Sequence, residues 1–597
     1  MNILGISCFY HDAAAALIRD GVLIAAAEEE RFSRKKHDYS FPAQAVKFCL
    51  ESGKITAQEL DYVVFYEKPF LKFERLLFSI LATYPRSWVV FRDSMMSWLS
   101  EKLWARTYLK EKLGIPESKI LFSEHHLSHA ASAFFCSPYD EAAILTVDGV
   151  GEWATATRGR AVSTWDGKGQ NRIEMESQIK FPHSLGLLYS AFTAFLGFEV
   201  NEGEYKVMGM APYGEPKYQD KIYKVIKVFD DGSFALDMSY FSFHYSRKKT
   251  FTSKFTDLFG TPRDTKARFV TSKTSLFDDP DPAGADELAA NQFYADIAAS
   301  IQKVTEDILV KMARSLQKAT GLKKLCMAGG VALNSVANYR ILTETPFEEI
   351  YIQPAAGDSG GALGAALYAY HVILGKPRAF KMEHAYWGKD HGEAAVHDFL
   401  KGSGIAYNAV DDDEKLYDRV IDALKAGKVI GWYQGAFEWG PRALGNRSII
   451  ADPGNPKMKD IINVKIKFRE PFRPFAPSVP LEHCEKYFDI QDAAKHYPAR
   501  FMLNVTPVKK EQRSALPAIT HADGTGRLQT VTKETNPRYH RLIEKFGEAT
   551  GVPVILNTSY NLKGEPIVNT PQNAYSTFMN SGMDMLIMEH AVVEKKE

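Results

Sequence analysis

Three short apolar runs open the chain, at residues 2–9, 14–18 and 22–27. Polar punctuation at His11-Asp12 and at Arg19-Asp20-Gly21 separates them. Runs of this length broken by an Asp-Gly dipeptide predict a strand–turn–strand–turn–strand meander. The pattern returns at 142–147, where Asp148-Gly149-Val150-Gly151 interrupts it. A second strand is expected at 153–158 and a further one at 161–165, ahead of Asp166-Gly167. Two meanders, each opening on a polar tight turn, predict an internally duplicated α/β domain whose first turns point into a cleft. Chance recurrence of a common hairpin signal is the alternative. Between the copies, residues 73–113 carry a helical pattern dense in Trp88, Trp98 and Trp104. Core packing is expected there, with a dimer face or a lid over a bulky acceptor as the sharper reading.

Further along, an acidic, proline-bearing loop at 277–287 precedes one long amphipathic helix at 289–317. Two glycine-rich turns then follow short strands. Residues 325–328 run into Gly329, Gly330 and Asn334. Residues 350–352 run into Gly357, Asp358, Ser359, Gly360 and Gly361, ahead of a small-residue helix at 362–370. Strand, glycine turn and helix N-terminus together offer N–H groups and a positive dipole end to an anion. Two such turns beside a duplicated meander predict a nucleotide or phosphorylated ligand. Gly375-Lys376-Pro377 and the stretch 381–390 mark a boundary at about 375–385, giving domains at 1–378 and 385–597. In the second, a helix is expected at 416–426 and a strand at 429–433.

Composition narrows the class. A chain of 597 residues has room for two to four domains. Lys and Arg number 73 against 73 Asp and Glu, so the basic excess of a dedicated nucleic-acid binder is missing. The cysteines (Cys8, Cys49, Cys136, Cys326 and Cys484) are odd in number, scattered and without a CxxC pair. They predict reduced thiols in a cytoplasmic protein. No window approaches 18 uninterrupted apolar residues, so no membrane is expected as partner, and the balanced charge leaves no nucleic acid expected either.

Candidate chemistry sits at a few positions. His125 and His129 lie at i and i+4 on an expected helix and share a face, so both could bind one metal. Position 126 is His rather than the Glu of HExxH, which argues against a metallopeptidase. A packing or surface pair is the alternative. Asp148 and Asp358, each in a turn, add carboxylates. Two His with carboxylates and open positions suit Fe(II) or a similar divalent ion. His11, in the first turn and expected to be largely neutral near pH 7, is a candidate base for an alcohol, or else a turn-capping histidine. In the second domain Arg442, Lys465, Lys467, Arg469 and Arg473 are interleaved with Gly and Pro, and Arg527, Asn557 and Ser559 follow. Lys/Arg runs are usually solvated, yet Arg442 and Arg473 in rigid aromatic contexts fit phosphate recognition.

GISCFYHDAAAAL, EEERFSRKKHD, HHLSHA, VDGVGEW, GEYKVMGMAPYG, MAGGVALNS, GDSGGALGAA, EWGPRALGNRS, KFREPFRPFAP and NTSYN, in that order along nearly the whole chain, resemble the O-carbamoyltransferases of nodulation and antibiotic biosynthesis. The resemblance implies a duplicated actin/heat-shock-ATPase-like domain, similar to the tRNA threonylcarbamoyltransferase catalytic subunit, followed by an α+β YrdC-like domain. It also implies two steps. Carbamoyl phosphate and ATP give carbamoyl adenylate and pyrophosphate; an acceptor hydroxyl then takes the carbamoyl group and AMP leaves. Residue by residue, it implies a metal on His125, His129, Asp148 and Asp358, with Fe(II) the first choice. It makes His11 the base, places Lys36 near the acceptor, and gives Arg442, Lys467, Arg473, Arg527, Asn557 and Ser559 to carbamoyl phosphate and Mg-ATP. The glycine turns, with Gly329, Gly330, Asn334, Gly357 and Ser359, are expected to serve the nucleotide. A homodimer is among the expectations. The rivals are an actin-class ATPase or small-molecule kinase, a threonylcarbamoyl tRNA-modification relative, and a non-catalytic nucleotide- or metal-binding regulator.

Overall fold

The computed structural model describes residues 1–100, 102–274 and 283–595; the start of the acidic loop expected at 277–287 lies outside them. The described chain divides into two compact units. The first comprises Met1–Glu29, Tyr39–Arg268 and Ala289–Met382, and the second Glu30–Asp38, Phe269–Leu288 and Glu383–Glu597. The units are not contiguous in sequence: two excursions from the N-terminal half group with the C-terminal one. Within the second unit, arginines fasten the excursion 30–38. Arg31 Nη2 donates to Gly440 O (2.6 Å), and Arg34 donates to Ile567 O (2.7 Å) and Pro566 O (2.8 Å).

The first unit holds two five-stranded sheets and a small hairpin. Its strands are β1 (Asn2–Ser7), β2 (Ala14–Arg19), β3 (Val22–Glu28), β4 (Tyr62–Phe65), β5 (Ile120–Phe122), β6 (Glu141–Val147), β7 (Ala154–Val162), β8 (Arg172–Lys180), β9 (Ile226–Val228), β10 (Phe234–Leu236), β11 (Lys324–Ala328) and β12 (Glu349–Ile352). One sheet runs β3-β2-β1-β4-β5 and the other β12-β11-β6-β7-β8. In each, a three-stranded antiparallel meander is extended by two parallel strands. β6, β7, β8, β11 and β12 are thus the counterparts of β1, β2, β3, β4 and β5. This is the duplicated topology of the actin/heat-shock-ATPase class. Asp20 and Gly21 take φ of 51° and 80° in the first hairpin, the two positive values that a type I′ turn requires.

Two expectations need correction. The strand placed at 161–165 is not separate, because β7 continues through Val162 and the third strand of that meander is β8. The helix expected at 362–370 begins instead at Asp358 and runs to Tyr368, so Gly360 and Gly361 are helical. Close approach explains the glycines: a Cβ at Gly360 would lie 2.0 Å from Ala355 O, and one at Gly364 would lie 1.8 Å from Ser128 O. The pattern at 73–113 resolves into helices Pro69–Thr83, Trp88–Ser100 and Ala105–Leu113. Core packing holds for Trp98, which is buried, whereas Trp88 and Trp104 are more than half exposed.

The second unit is built on a nine-stranded mixed sheet with helices, an α+β arrangement. Strand alternation places neighbours in different cores. Ile449 and Leu556 join the cluster with Val479, Leu528 and Phe578; Ile450 and Ile555 join that with Trp432, Tyr539 and Ile587. Both faces of the sheet are therefore covered. No helix among the described residues is long and apolar enough to cross a membrane.

Candidate active site

The duplication itself assembles the first site. His11 lies in the β1–β2 turn and Asp148 in the equivalent turn after β6. The helix His125–Phe134 follows β5, and the helix Asp358–Tyr368 follows its counterpart β12. Each copy thus contributes one turn and one helix start. His125 Nε2 stands 3.0 Å from Asp148 Oδ2 and 3.0 Å from His129 Nε2. Asp358 Oδ1 is 3.6 and 3.7 Å from the same two ring nitrogens. One ligand atom from each of the four residues falls within 4.8 Å of the others, and all four residues are buried.

The electrostatics are those of a site built for positive charge. Burial would depress the His125 imidazole, but Asp358, Asp148 and Glu67 lift it to about 10. Burial would raise Asp148; hydrogen bonds and charge from His125 and His129 outweigh that and hold it well below the usual range. Asp358 is raised, by burial and by the Asp148 charge, against the pull of His125, His129 and His11. Two imidazoles sharing Nε2···Nε2 contact, facing two carboxylates, form a donor set that fits a first-row divalent ion. His126 has a different part. Its Nε2–H donates to Ala154 O (2.9 Å), its Nδ1 accepts from Thr146 Oγ1 (2.6 Å), and burial holds it neutral, at about 3. That ring is structural.

Supporting carboxylates escaped the sequence reading. Glu67 is buried just beyond β4, pairs with Lys72 Nζ at 2.5 Å, and sets Oε2 3.7 Å from His125 Nδ1. The gap is too long for a hydrogen bond, yet it is the side from which carboxylates orient ligating imidazoles. Glu152 accepts the His125 backbone N–H (3.0 Å) and that of Lys68 (2.8 Å). The second glycine of GG donates its N–H to Asp148 Oδ1 at 2.9 Å, so Gly330 serves a protein carboxylate. Gly329, at φ 96°, brings its backbone against Val147 O, where a Cβ would sit at 2.2 Å. Asn334 caps the helix Ser335–Glu344 and exchanges hydrogen bonds with Gln302. Gly357 directly precedes the helix that begins with Asp358 and Ser359, and a Cβ there would meet nothing.

His11 Nδ1 lies 2.7 Å from Asp12 Oδ2. Burial would lower this imidazole, but the Asp12 hydrogen bond and the charges of Asp12, Asp358 and Asp148 raise it to about 9. The neutral ring expected near pH 7 is therefore not what these neighbours favour. A cation on Asp148 and Asp358 would remove part of the rise.

The second unit gathers the expected cations. Lys467 is buried, with Nζ donating to Ser559 Oγ (3.2 Å), to Asn561 Oδ1 (3.1 Å) and to Ser559 O. Burial and the charges of Arg469, Arg473 and Arg527 depress its ammonium well below the usual lysine range. Arg527 is likewise depressed by burial and by Arg442 and Arg473. Arg442 rides on a loop that Glu438 organises: one fully buried carboxylate oxygen accepts the N–H groups of Leu444 (2.8 Å), Asn446 (2.9 Å) and Arg447 (3.1 Å). Asn557 is buried in its strand and donates to Ala443 O, Ser478 Oγ and Gln529 Oε1. Lys36 lies on the excursion that groups with this unit.

Residues 2–367 match the family model described as the carbamoyltransferase N-terminus, and residues 421–595 that of the carbamoyltransferase C-terminus. The chain belongs to the carbamoyltransferase family. It is 47% identical to the uncharacterized protein sll1178 of Synechocystis, covering 100% of this chain and 97% of the relative. Nodulation protein NolNO of Sinorhizobium fredii is 36% identical, over 98% of this chain and 79% of its own length. The 3'-hydroxymethylcephem-O-carbamoyltransferase of Streptomyces clavuligerus shares 36% identity over 41% of this chain and 44% of its own. Among solved structures, HypF of T. kodakarensis aligns with 63% of this chain and 48% of its own at 14% identity and a TM-score of 0.29. In this chain the expected residues fall into two groups. His11, His125, His129, Asp148 and Asp358 lie in the first unit, and Arg442, Lys467, Arg473, Arg527, Asn557 and Ser559 in the second.

Proposed function

We propose that this carbamoyltransferase is an ATP-dependent O-carbamoyltransferase with carbamoyl phosphate as donor and that the labour is divided between the units. The observation that carries this reading is the crowding of Arg442, Arg469 and Arg473 around buried Lys467 and half-buried Arg527, whose charged forms are disfavoured by burial and by these neighbouring cations. Such a cluster is relieved by a strongly anionic ligand, and carbamoyl phosphate with ATP supplies one. Mass balance gives the first step: carbamoyl phosphate, ATP and water yield carbamoyl adenylate, phosphate and pyrophosphate. Lys467 and the arginines hold the phosphates while negative charge moves, and the YrdC-like character of this unit is part of the proposal.

The second step belongs to the first unit. The acceptor oxygen bonds to the carbamoyl carbon, the bond from that carbon to the AMP phosphate oxygen breaks, and AMP leaves with the electron pair. In its deprotonated form, a minority near pH 7 with these neighbours, His11 takes the hydroxyl proton at Nε2 while Asp12 holds the opposite edge of the ring. His125, His129, Asp148 and Asp358 would hold a divalent ion, Fe(II) by donor type, which supplies Lewis-acid polarisation of a carbamoyl or phosphate oxygen when bound. Gly357 and Ser359, at the helix start, would serve the nucleotide.

The test needs no acceptor. Purified protein with Mg-ATP and carbamoyl phosphate should release pyrophosphate and form carbamoyl adenylate, read by mass spectrometry. ADP and phosphate without adenylate would move the assignment to a kinase or ATPase.

A further inference from the structure

One large cavity of the first unit extends away from the histidine and carboxylate cluster, sharing Glu67 and Lys72 with its surroundings. It measures about 470 Å³ and is lined from the β1–β2 turn, the helices Pro69–Thr83 and Trp88–Ser100, and the segment 243–250. Three of its lining residues tie it to the reacting centre. Glu67 stands 3.7 Å from His125 Nδ1; Tyr10 adjoins His11, and Val150 follows Asp148 by one residue's interval.

The lining is unbalanced in charge. Lys72, Arg75, Lys102, Arg247 and Lys249 face one carboxylate, Glu67, and Glu67 is already spent on Lys72 at 2.5 Å. Arg75 is buried and turns to Gly151 O (2.8 Å); Lys102 reaches Phe9 O (2.7 Å) and Arg247 reaches Ser94 Oγ (2.9 Å). Among the described residues no acid pairs with Lys102, Arg247 or Lys249. The Lys102 ammonium is depressed by burial and by the charges of Lys72 and Arg247, as expected where cations share a space short of counter-charge. The lining also carries the rings of Trp98, Phe181 and Phe243, with Arg75 5.1 Å from the centre of Phe181 and Lys102 6.0 Å from that of Trp98. A cavity lined by cations and aromatic rings selects a ligand with a flat or apolar body and a negative substituent.

Resting on the function proposed above, we infer that this cavity is the acceptor pocket and that its acceptor is an anionic alcohol, carrying a carboxylate or a phosphate beside a ring or apolar body. Neutral alcohols fit the shape without using the charge. Cationic ones are repelled.

Binding of a matched sugar set to the full chain tests this by calorimetry: methyl glucoside, glucuronate, glucose 6-phosphate and glucosamine. At least one of the two anions should bind tenfold or more tightly than the glucoside, and the better of them identifies carboxylate or phosphate. Glucosamine should bind most weakly. The double variant Arg247→Glu with Lys249→Glu should erase the anion preference; since both side chains are exposed, the fold should tolerate it. Loss of preference in that variant also separates this cavity from the cation cluster of the second unit. Equal binding of neutral and anionic sugars, anion binding untouched by the charge reversal, or no anion binding at millimolar concentration would each overturn the inference. Acceptor-free pyrophosphate release by the unaltered chain is scored separately: its failure sinks the proposed function, whereas the charge preference of the cavity is read without it.

Discussion

His125 and His129 illustrate what single residues decide. Their Nε2 atoms meet at 3.0 Å between two carboxylates, and removing one ring would take away one of the four candidate ligands while leaving the sheets in place. His129→Ala should therefore lower bound divalent metal at least tenfold in elemental analysis of purified protein, and Glu67→Gln should give a smaller loss, of order 10-fold or less, as an orienting partner. Metal content equal to that of the parent chain in His129→Ala would show that the cluster is only a packed proton-sharing group. At Lys467 the prediction concerns pH. Its pKa is lowered by burial and neighbouring cations, and a bound anion would raise it again. Anion binding then takes up a proton, so affinity for carbamoyl phosphate should fall as pH rises through the depressed value, well before an ordinary lysine titrates. Affinity flat across that range would remove Lys467 from the site. The four residues of the cluster were named in the sequence from an i, i+4 histidine pair, two turn carboxylates and the family resemblance, and the fold brings them together. Glu67, Glu152 and Glu438 were not named, because a single carboxylate has no periodic signature and its partners, Lys72 Nζ for Glu67 and backbone N–H groups for the other two, are set by the fold.

Elements carry the next constraint, since the helices bearing His125 and Asp358 must approach closely. Ser128 O occupies the space that a Cβ at Gly364 would need. Gly364→Ala should cost about 1–3 kcal/mol, read as a lowered urea midpoint at unchanged slope. It should also reduce metal occupancy, because the Asp358 helix must move away from the His125 helix. A destabilised variant with full metal content would uncouple packing from the site. The meanders were readable from alternation and Asp-Gly punctuation, including the positive φ pair at Asp20-Gly21. The start of the helix at Asp358 was not: glycines read as a phosphate-cradling turn are in part there to let a helix lie against its neighbours. Local sequence cannot distinguish those two uses, because both ask for the absence of a side chain.

At the scale of the whole molecule, the duplicated topology was foreseeable from two similar openings, whereas the discontinuity of the units was not. Residues 30–38 and 269–288 group with the second unit through contacts such as Arg31 with Gly440, which lie hundreds of positions apart and leave no trace in local pattern. The two half-reactions proposed for the units join through carbamoyl adenylate, a mixed anhydride that water destroys. Lys467→Ala is expected to abolish adenylate formation, and His11→Asn to leave it intact while blocking transfer. Mixing the two variants then measures how the intermediate travels. If it is handed over within one molecule, the mixture should carbamoylate an acceptor at no more than the sum of the separate variants. If it escapes into solution and survives, His11→Asn protein supplies it to Lys467→Ala protein and transfer returns. Restored transfer that disappears when an esterase-like nucleophile such as hydroxylamine is added would identify the released anhydride directly, and would show that joining the two activities in one chain serves something other than protecting it.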